Sequence, residues 1–107
     1  MRMILDRLGI SSKYKGYRML LSGIEIAVQD EDAVTQITQK IYPQIAQRCG
    51  TTPVNVEKNL RKVIEIFWNY GDRSFYDEIA GYSPPSRPTN AEFIGAISSY
   101  IIRSTRP

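Results

Sequence analysis

Apolar residues recur at helical spacing along most of this chain. The clearest run lies between about Lys15 and Gln29, where apolar side chains at i, i+3, i+4, i+7 and i+11 predict an amphipathic helix. Similar spacing predicts a short helix from Met3 to Leu8, a helix from Ala33 to Tyr42 that restarts at Pro43 and continues to Arg48, a short helix from Phe75 to Ala80, and a last helix after Thr89. No segment alternates with the two-residue period of a strand. The pattern therefore predicts an all-α fold of five to six helices.

Two of the predicted helices begin with clear start signals. At Thr52-Pro53, the threonine can cap a helix and the proline suits its first turn. At Thr89-Asn90-Ala91-Glu92, a hydroxyl followed three residues later by glutamate forms a capping box. The first signal opens a long helix that ends near Tyr70-Gly71 and buries one apolar face, formed by Val56, Leu60, Val63, Ile64 and Phe67.

The composition is typical of an ordinary globular protein. The chain has 107 residues, of which 42% are hydrophobic and 23% charged, so we expect one domain over residues 1–107. Its one cysteine, Cys49, cannot form an internal disulfide bond. No apolar run approaches the ~20 residues of a membrane helix, and the N-terminus lacks the apolar core of a signal peptide. We therefore expect a soluble, cytoplasmic protein without a membrane partner.

The absence of histidine limits the chemistry that this chain can support. Histidine is the commonest general base and the commonest zinc ligand. With a single cysteine as well, the chain can build neither a Cys/His metal site nor a Cys–His or Ser–His nucleophile pair. We expect no enzymatic activity, no metal or other cofactor, and no small-molecule substrate. The net charge of +3 permits a nucleic-acid partner but does not require one.

The segment from Tyr42 to Trp68 has the outline of a helix-turn-helix, because a short helix, a turn containing Gly50 and a capped helix follow one another. On the second helix, the polar side chains that point away from the apolar face are Asn55, Glu57, Lys58, Arg61 and Lys62. Such side chains read base edges in the major groove. From periodicity alone the pattern is more typical of a solvated helix face, since any surface helix carries such side chains and Glu57 and Arg61 also form an ordinary i,i+4 pair.

Several stretches of the chain resemble one known family. They are Leu8-Gly9-Ile10, Lys15-Gly16-Tyr17, Ile41-Tyr42-Pro43-Gln44-Ile45-Ala46, Thr51-Thr52, Val56-Glu57, Ile64-Glu65-Ile66, Gly81-Tyr82 and Pro88-Thr89-Asn90-Ala91-Glu92-Phe93-Ile94. In this order and spacing they resemble the C-terminal, DNA-binding effector domain of the sporulation master response regulator of endospore-forming bacteria. The resemblance covers almost the whole chain. None of the aspartates is expected to be a phosphoacceptor, because we expect no receiver domain in this chain.

The resemblance implies a six-helix domain that binds short asymmetric DNA boxes of the TGTCGAA type, often as a tandem dimer. It also implies control of transcription through RNA polymerase and its sigma factor. The family's base-reading glutamate falls on Glu57, its neighbouring base-reading arginine on Lys58, and a further DNA-contacting arginine on Arg61. The sigma-factor region corresponds to about residues 71–82, and the contact residues expected there are Arg73, Phe75, Tyr76 and Glu78.

The chain departs from the family at positions that matter for DNA binding. Lys58 offers a point charge where the family has a bidentate arginine, which changes a guanine contact. Asn55 stands where the family has an arginine, and Lys62 where it has a histidine. We expect Asn55 to join the base-reading set of Glu57, Lys58 and Arg61. The expected phosphate contacts are Thr51, Thr52, Lys62, Lys13, Lys15 and Arg87.

A second hypothesis belongs to a different class of protein. The modest net charge and the changed basic positions are also compatible with a helical protein-interaction module that keeps the fold and has lost specific DNA binding. Such a module would bind a partner protein through the region from Trp68 to Tyr82 or through the last helix. DNA affinity that falls steeply with salt favours the first hypothesis, because released counterions set that slope.

Overall fold

The computed structural model describes residues 1–105 and contains six α-helices and no strand within them. In chain order the helices are α1 (Arg2–Arg7), α2 (Lys15–Gln29), α3 (Tyr42–Cys49), α4 (Pro53–Tyr70), α5 (Arg73–Ala80) and α6 (Asn90–Thr105). The all-α prediction is confirmed. Within the same residues, no helix combines the length and apolarity that crossing a bilayer requires.

The core forms where α2 packs against both α4 and α6. The predicted apolar face of α4 is buried, since Val56, Leu60 and Phe67 are fully inaccessible to solvent. Phe67 also meets Tyr76 of α5 and Phe93 of α6, and the three ring centroids lie 5.1–5.5 Å apart. These contacts stabilise the fold by removing large apolar surfaces from water and by aromatic pairing. They hold α4 with its opposite face turned to solvent.

Gly16 sets the distance between α2 and α4. A Cβ atom at this position would lie 2.5 Å from the backbone oxygen of Asn59 and 2.9 Å from Cβ of Val63. Both distances are shorter than van der Waals contact, so the helix axes can approach this closely only because residue 16 has no side chain. The start of α2 is therefore brought directly beside α4.

The segment before α3 differs from the regular helix predicted for Ala33 to Tyr42. It forms a 3₁₀ helix (Glu31–Gln36) followed by a π-helical turn (Ile37–Ile41). Pro43 explains part of this difference, because it has no N–H and its ring would crowd the carbonyl four residues earlier in an α-helix. The backbone N–H of Tyr42 instead donates to the oxygen of Ile37, five residues earlier. The side chain of Gln44 donates to the Lys40 oxygen at 2.6 Å.

Candidate nucleic-acid interface

A short turn, residues 50–52, joins α3 to α4. Gly50 adopts a left-handed conformation (φ 65°, ψ 42°), which glycine reaches without strain and which ends α3. The Thr51 N–H then donates to the oxygen of Ala46 at 2.9 Å. The side-chain oxygen of Thr52 accepts from the Asn55 N–H at 3.2 Å, and Pro53 is the first residue of α4. The predicted cap is confirmed, and α4 has a sharply defined start.

The outward face of α4 carries Lys58 at its centre. Lys58 is exposed, whereas Val56 and Leu60 on either side of it in sequence are buried. At ~100° per residue, this places Lys58 almost opposite the apolar face. Among residues 1–105 no carboxylate pairs with Lys58. Its ammonium group is therefore free to meet a ligand that approaches α4 from solvent.

One flank of α4 carries cations that are already paired. Arg61 Nε lies 3.2 Å from Oε1 of Glu57, and the Arg87 guanidinium lies 2.9 Å from Oε2 of Glu65. Glu57, Arg61 and Arg87 line one open cleft of about 350 Å³, together with residues 88–91 at the start of α6. Both ion pairs are substantially exposed, so each adds little to stability. They do, however, offset the positive charge on this flank.

The other flank, which faces α2, carries cations without carboxylate partners in the described part of the chain. Lys15 lines two adjoining grooves here. It shares one, of about 290 Å³, with Arg18, Thr51 and Asn55. It shares the other, of about 140 Å³, with Asn59 and Lys62. Two predicted phosphate contacts on different elements, Lys15 and Lys62, are thus brought together.

Asn90 links the two helices on either side of the turn. Its side-chain amide donates to the hydroxyl oxygen of Tyr42 at 3.0 Å and to the backbone oxygen of Glu57 at 3.3 Å. Burial raises the pKa of the Tyr42 phenol, the Asn90 hydrogen bond lowers it, and the nearby Glu57 charge raises it further. The phenol is therefore neutral at pH 7. The sequence identified Asn90 only as part of a capping box, and no spacing rule indicated its contacts with α3 and α4.

The predicted base-reading residues lie together on the first half of α4. Asn55, Lys58 and Arg61 are exposed and Glu57 is half-buried. Asn55 is also engaged locally, since its side-chain amide donates to Oγ1 of Thr51 at 2.8 Å. Two of the predicted phosphate contacts, Lys13 and Arg87, lie outside the two grooves that Lys15 lines. Lys13 lies in the segment before α2, with Nζ 5.8 Å from the Tyr14 ring centroid, and Arg87 lies on the opposite flank of α4.

Arg18 is a candidate phosphate contact that the sequence pattern did not single out. It is exposed and lines the groove that holds Lys15, Thr51 and Asn55. A usable signal was present, because Arg18 follows Lys15 by three residues and side chains at i and i+3 share a helix face.

The predicted sigma-factor residues divide into exposed and buried side chains. Arg73 and Glu78 are exposed, and the Arg73 guanidinium stacks 3.4 Å from the centroid of the Trp68 ring. Phe75 and Tyr76 are buried, with 5% and 3% of their surfaces exposed. The side chains of Phe75 and Tyr76 therefore pack in the core instead of forming a contact surface. Burial raises the pKa of the Tyr76 phenol, and the nearby Tyr82, Glu92 and Asp77 raise it further.

The fold is that of an all-α domain, and an exposed helix face with cations that lack carboxylate partners among residues 1–105 is compatible with the class of helical DNA-binding domains. A comparison with protein families identifies the particular family. The model for the family described as "Sporulation initiation factor Spo0A C terminal" matches residues 1–101, so the chain belongs to this family. It is accordingly a DNA-binding effector domain of the response-regulator type, associated with sporulation, and its family is one of DNA-binding domains and not of enzymes.

Proposed function

We propose that this domain is a sequence-specific transcription regulator in which α3, the turn and α4 act as a helix-turn-helix and α4 enters the major groove. The observation that carries the proposal is the solvent-facing first half of α4, with an exposed, unpaired Lys58 at its centre among residues 1–105. Recognition helices contact bases through their N-terminal residues, and lysine, glutamate and asparagine have distinct base preferences. Because the family binds DNA, this face is the candidate reading surface.

Each base-reading residue has a role that follows from its chemistry. Lys58 donates to O6 or N7 of guanine, and Glu57 accepts from the amino group of cytosine. In the free protein Glu57 is paired with Arg61 at 3.2 Å. We propose that Glu57 exchanges partners on DNA, which leaves Arg61 free to bind a base or a phosphate. The Asn55 amide donates one N–H to Thr51, and its second N–H and its Oδ1 atom are the groups that read adenine.

Phosphate contacts position the domain on the duplex. We assign this role to Lys15 and Lys62, which line the grooves on the α2 side, and to Lys13 in the segment before α2. We add Arg18, because it shares one of these grooves with Lys15. Thr51 and Thr52 contribute from the turn, next to the N-terminus of α4, where backbone N–H groups favour an anion. Arg87 joins from the opposite flank once a phosphate replaces Glu65 as its partner.

Two further parts of the proposal concern protein partners. Domains bound to tandem boxes form a dimer on DNA, which is tested by varying the spacing between two boxes in a mobility-shift assay.

The exposed Arg73 and Glu78 contact the sigma factor. The nearby exposed Tyr70 and Tyr82 favour a protein contact in this region. The double variant Arg73→Ala/Glu78→Ala should keep its DNA affinity and lose transcription activation in a reconstituted polymerase assay.

Selection from a randomised duplex library, followed by sequencing, tests sequence reading. We expect the native chain to enrich one motif, here called the preferred duplex, and the Glu57→Ala variant to lose preference at one position within it. Glu78→Ala is the matched control, because it removes an exposed glutamate from α5 and should leave the motif unchanged. If nothing is enriched even at low salt, sequence reading is refuted and the interaction module becomes the better hypothesis.

A further inference from the structure

Val54 has no structural role that explains its presence on α4. It is the second residue of the helix and 72% of its surface is exposed. Among residues 1–105, the other exposed large apolar side chains are Met1, Met3, Tyr70 and Tyr82, so Val54 is the one in the first half of α4, whereas Tyr70 is the last residue of that helix. Valine is a poorer helix former than alanine, because its β-branch restricts the side chain. Helix propensity therefore does not explain a valine at this largely exposed position.

The position of Val54 is that of a base-reading residue. It lies in the first turn of α4, immediately before Asn55, and four residues before Lys58. Side chains at i and i+4 share a helix face, so Val54 projects from the outward face beside Lys58. A duplex that meets Lys58 in the major groove must also come close to Val54.

The major groove contains one apolar group that suits such a side chain. Among the four bases, only thymine presents a methyl group there, at C5. An exposed valine next to polar base-reading residues offers apolar surface that could cover this methyl group and exclude water from both. The polar end groups of asparagine, lysine and glutamate do not supply that contact.

We infer that Val54 is a specificity-determining residue that recognises the C5 methyl group of a thymine. The inference rests on the proposed function, since it requires α4 to lie in the major groove. Val54 and Lys58 are four residues apart, which is a rise of ~6 Å along the helix, and successive base pairs are ~3.4 Å apart. The thymine should therefore be within one or two base pairs of the guanine that Lys58 contacts.

Uracil substitution tests the inference, because uracil is thymine without the methyl group. Each thymine of the preferred duplex is replaced singly by uracil, and Kd is measured for the native chain and for Val54→Ala. For the native chain we expect a rise in Kd of about threefold to fivefold at one position, the effect of one lost methyl contact. For Val54→Ala, the Kd for the thymine duplex should be raised by a similar factor, and uracil at that position should not raise it further.

Two controls separate this contact from a general effect. Val54→Ala should keep its thermal midpoint, since the side chain is exposed and alanine favours a helix. Met3→Ala removes another exposed apolar side chain, outside α4, and should keep the native uracil profile. The inference would be overturned, and the proposed function left standing, by either of two results. In one, the single uracil substitutions change Kd in the same way for the native chain and Val54→Ala. In the other, no uracil substitution changes the Kd of the native chain. A library that yields no motif would overturn the proposed function and this inference with it.

Discussion

Lys58 and Lys62 carry the same charge one turn apart on α4, yet they have different surroundings. Lys58 is central on the outward face, whereas Lys62 lines a groove on the α2 flank with Lys15 and Asn59. A base edge lies at the floor of the major groove, and phosphates lie along its borders. The two lysines should therefore make different kinds of contact with the same duplex.

Alanine substitution separates these two roles. Lys58→Ala should lower affinity for the preferred duplex by ~1–3 kcal/mol and relax the preference at one base pair, because a base contact is lost. Lys62→Ala should weaken binding to the preferred and a scrambled duplex equally, because phosphates do not carry sequence information. Fluorescence anisotropy with both duplexes measures the difference. Equal losses on the two duplexes for Lys58→Ala would remove Lys58 from base reading.

At the scale of the elements, α4 is positioned by close packing on one side and by hydrogen bonds on the other. Gly16 lets α2 approach so closely that Lys15 and Arg18 reach the flank of α4. Asn90 ties the backbone of Glu57 to Tyr42, which is the first residue of α3. The orientation of the candidate reading helix thus depends on α2, α3 and α6 together.

Enlarging residue 16 should disturb this arrangement. In Gly16→Ala the new Cβ would meet the Asn59 oxygen at 2.5 Å, so we expect the free energy of unfolding to fall by ~1–3 kcal/mol. Gly95→Ala is the matched control, because its Cβ would meet only the Cγ1 atom of Val34, at 3.3 Å. Urea denaturation of both variants measures the effect. A Gly16→Ala protein as stable as the native chain would show that the contact between α2 and α4 is not tight.

The sequence was sufficient to predict the α-helices, because their apolar periodicity and caps are local signals. The start of α4 at Thr52-Pro53 is one example. It was not sufficient for the segment before α3, where the shift to a π-helical turn depends on hydrogen bonds around Pro43. At the candidate site, periodicity placed Lys58 on the outward face. The pairing of Arg87 with Glu65 joins residues 22 positions apart, and the contacts of Asn90 join residues 33 and 48 positions apart, which no local pattern reveals.

At the scale of the whole molecule, the distribution of charge matters more than its sum. The net charge is only +3. Within residues 1–105, however, the α2 flank of α4 carries cations without carboxylate partners, and the opposite flank carries paired ones. A phosphate backbone is therefore attracted more strongly to the α2 flank. This asymmetry favours one orientation of the domain on DNA.

The absence of histidine and the buried tyrosines together predict how stability depends on pH. No histidine titrates, so the free energy of unfolding should change little between pH 6 and pH 8. Burial raises the pKa of Tyr42 and of Tyr76 above the ordinary value of 10.0, so the unfolded chain ionises first as pH rises. The contribution of the neutral phenols to the free energy of unfolding is therefore fully present below about pH 10. Above it, this contribution falls by up to ~1.4 kcal/mol per pH unit for each tyrosine.

Urea denaturation between pH 7 and pH 11 measures this dependence. Tyr76→Phe should show a shallower loss above pH 10, because one raised phenol is absent, and Tyr70→Phe is the matched control, since the Tyr70 side chain is exposed. If the free energy of unfolding falls equally above pH 10 in the native chain and in Tyr76→Phe, the raised pKa of Tyr76 is contradicted.

A nuclear magnetic resonance titration of the ¹⁵N-labelled full chain with the preferred duplex tests most directly whether α4 is the DNA-reading helix. If it is, the largest amide shift changes fall in residues 51–62 and at Lys15 and Arg18, while residues 73–80 change little. Shift changes concentrated in residues 70–82, with α4 unaffected, would contradict this role of α4 and would indicate that this face of the domain serves a different contact.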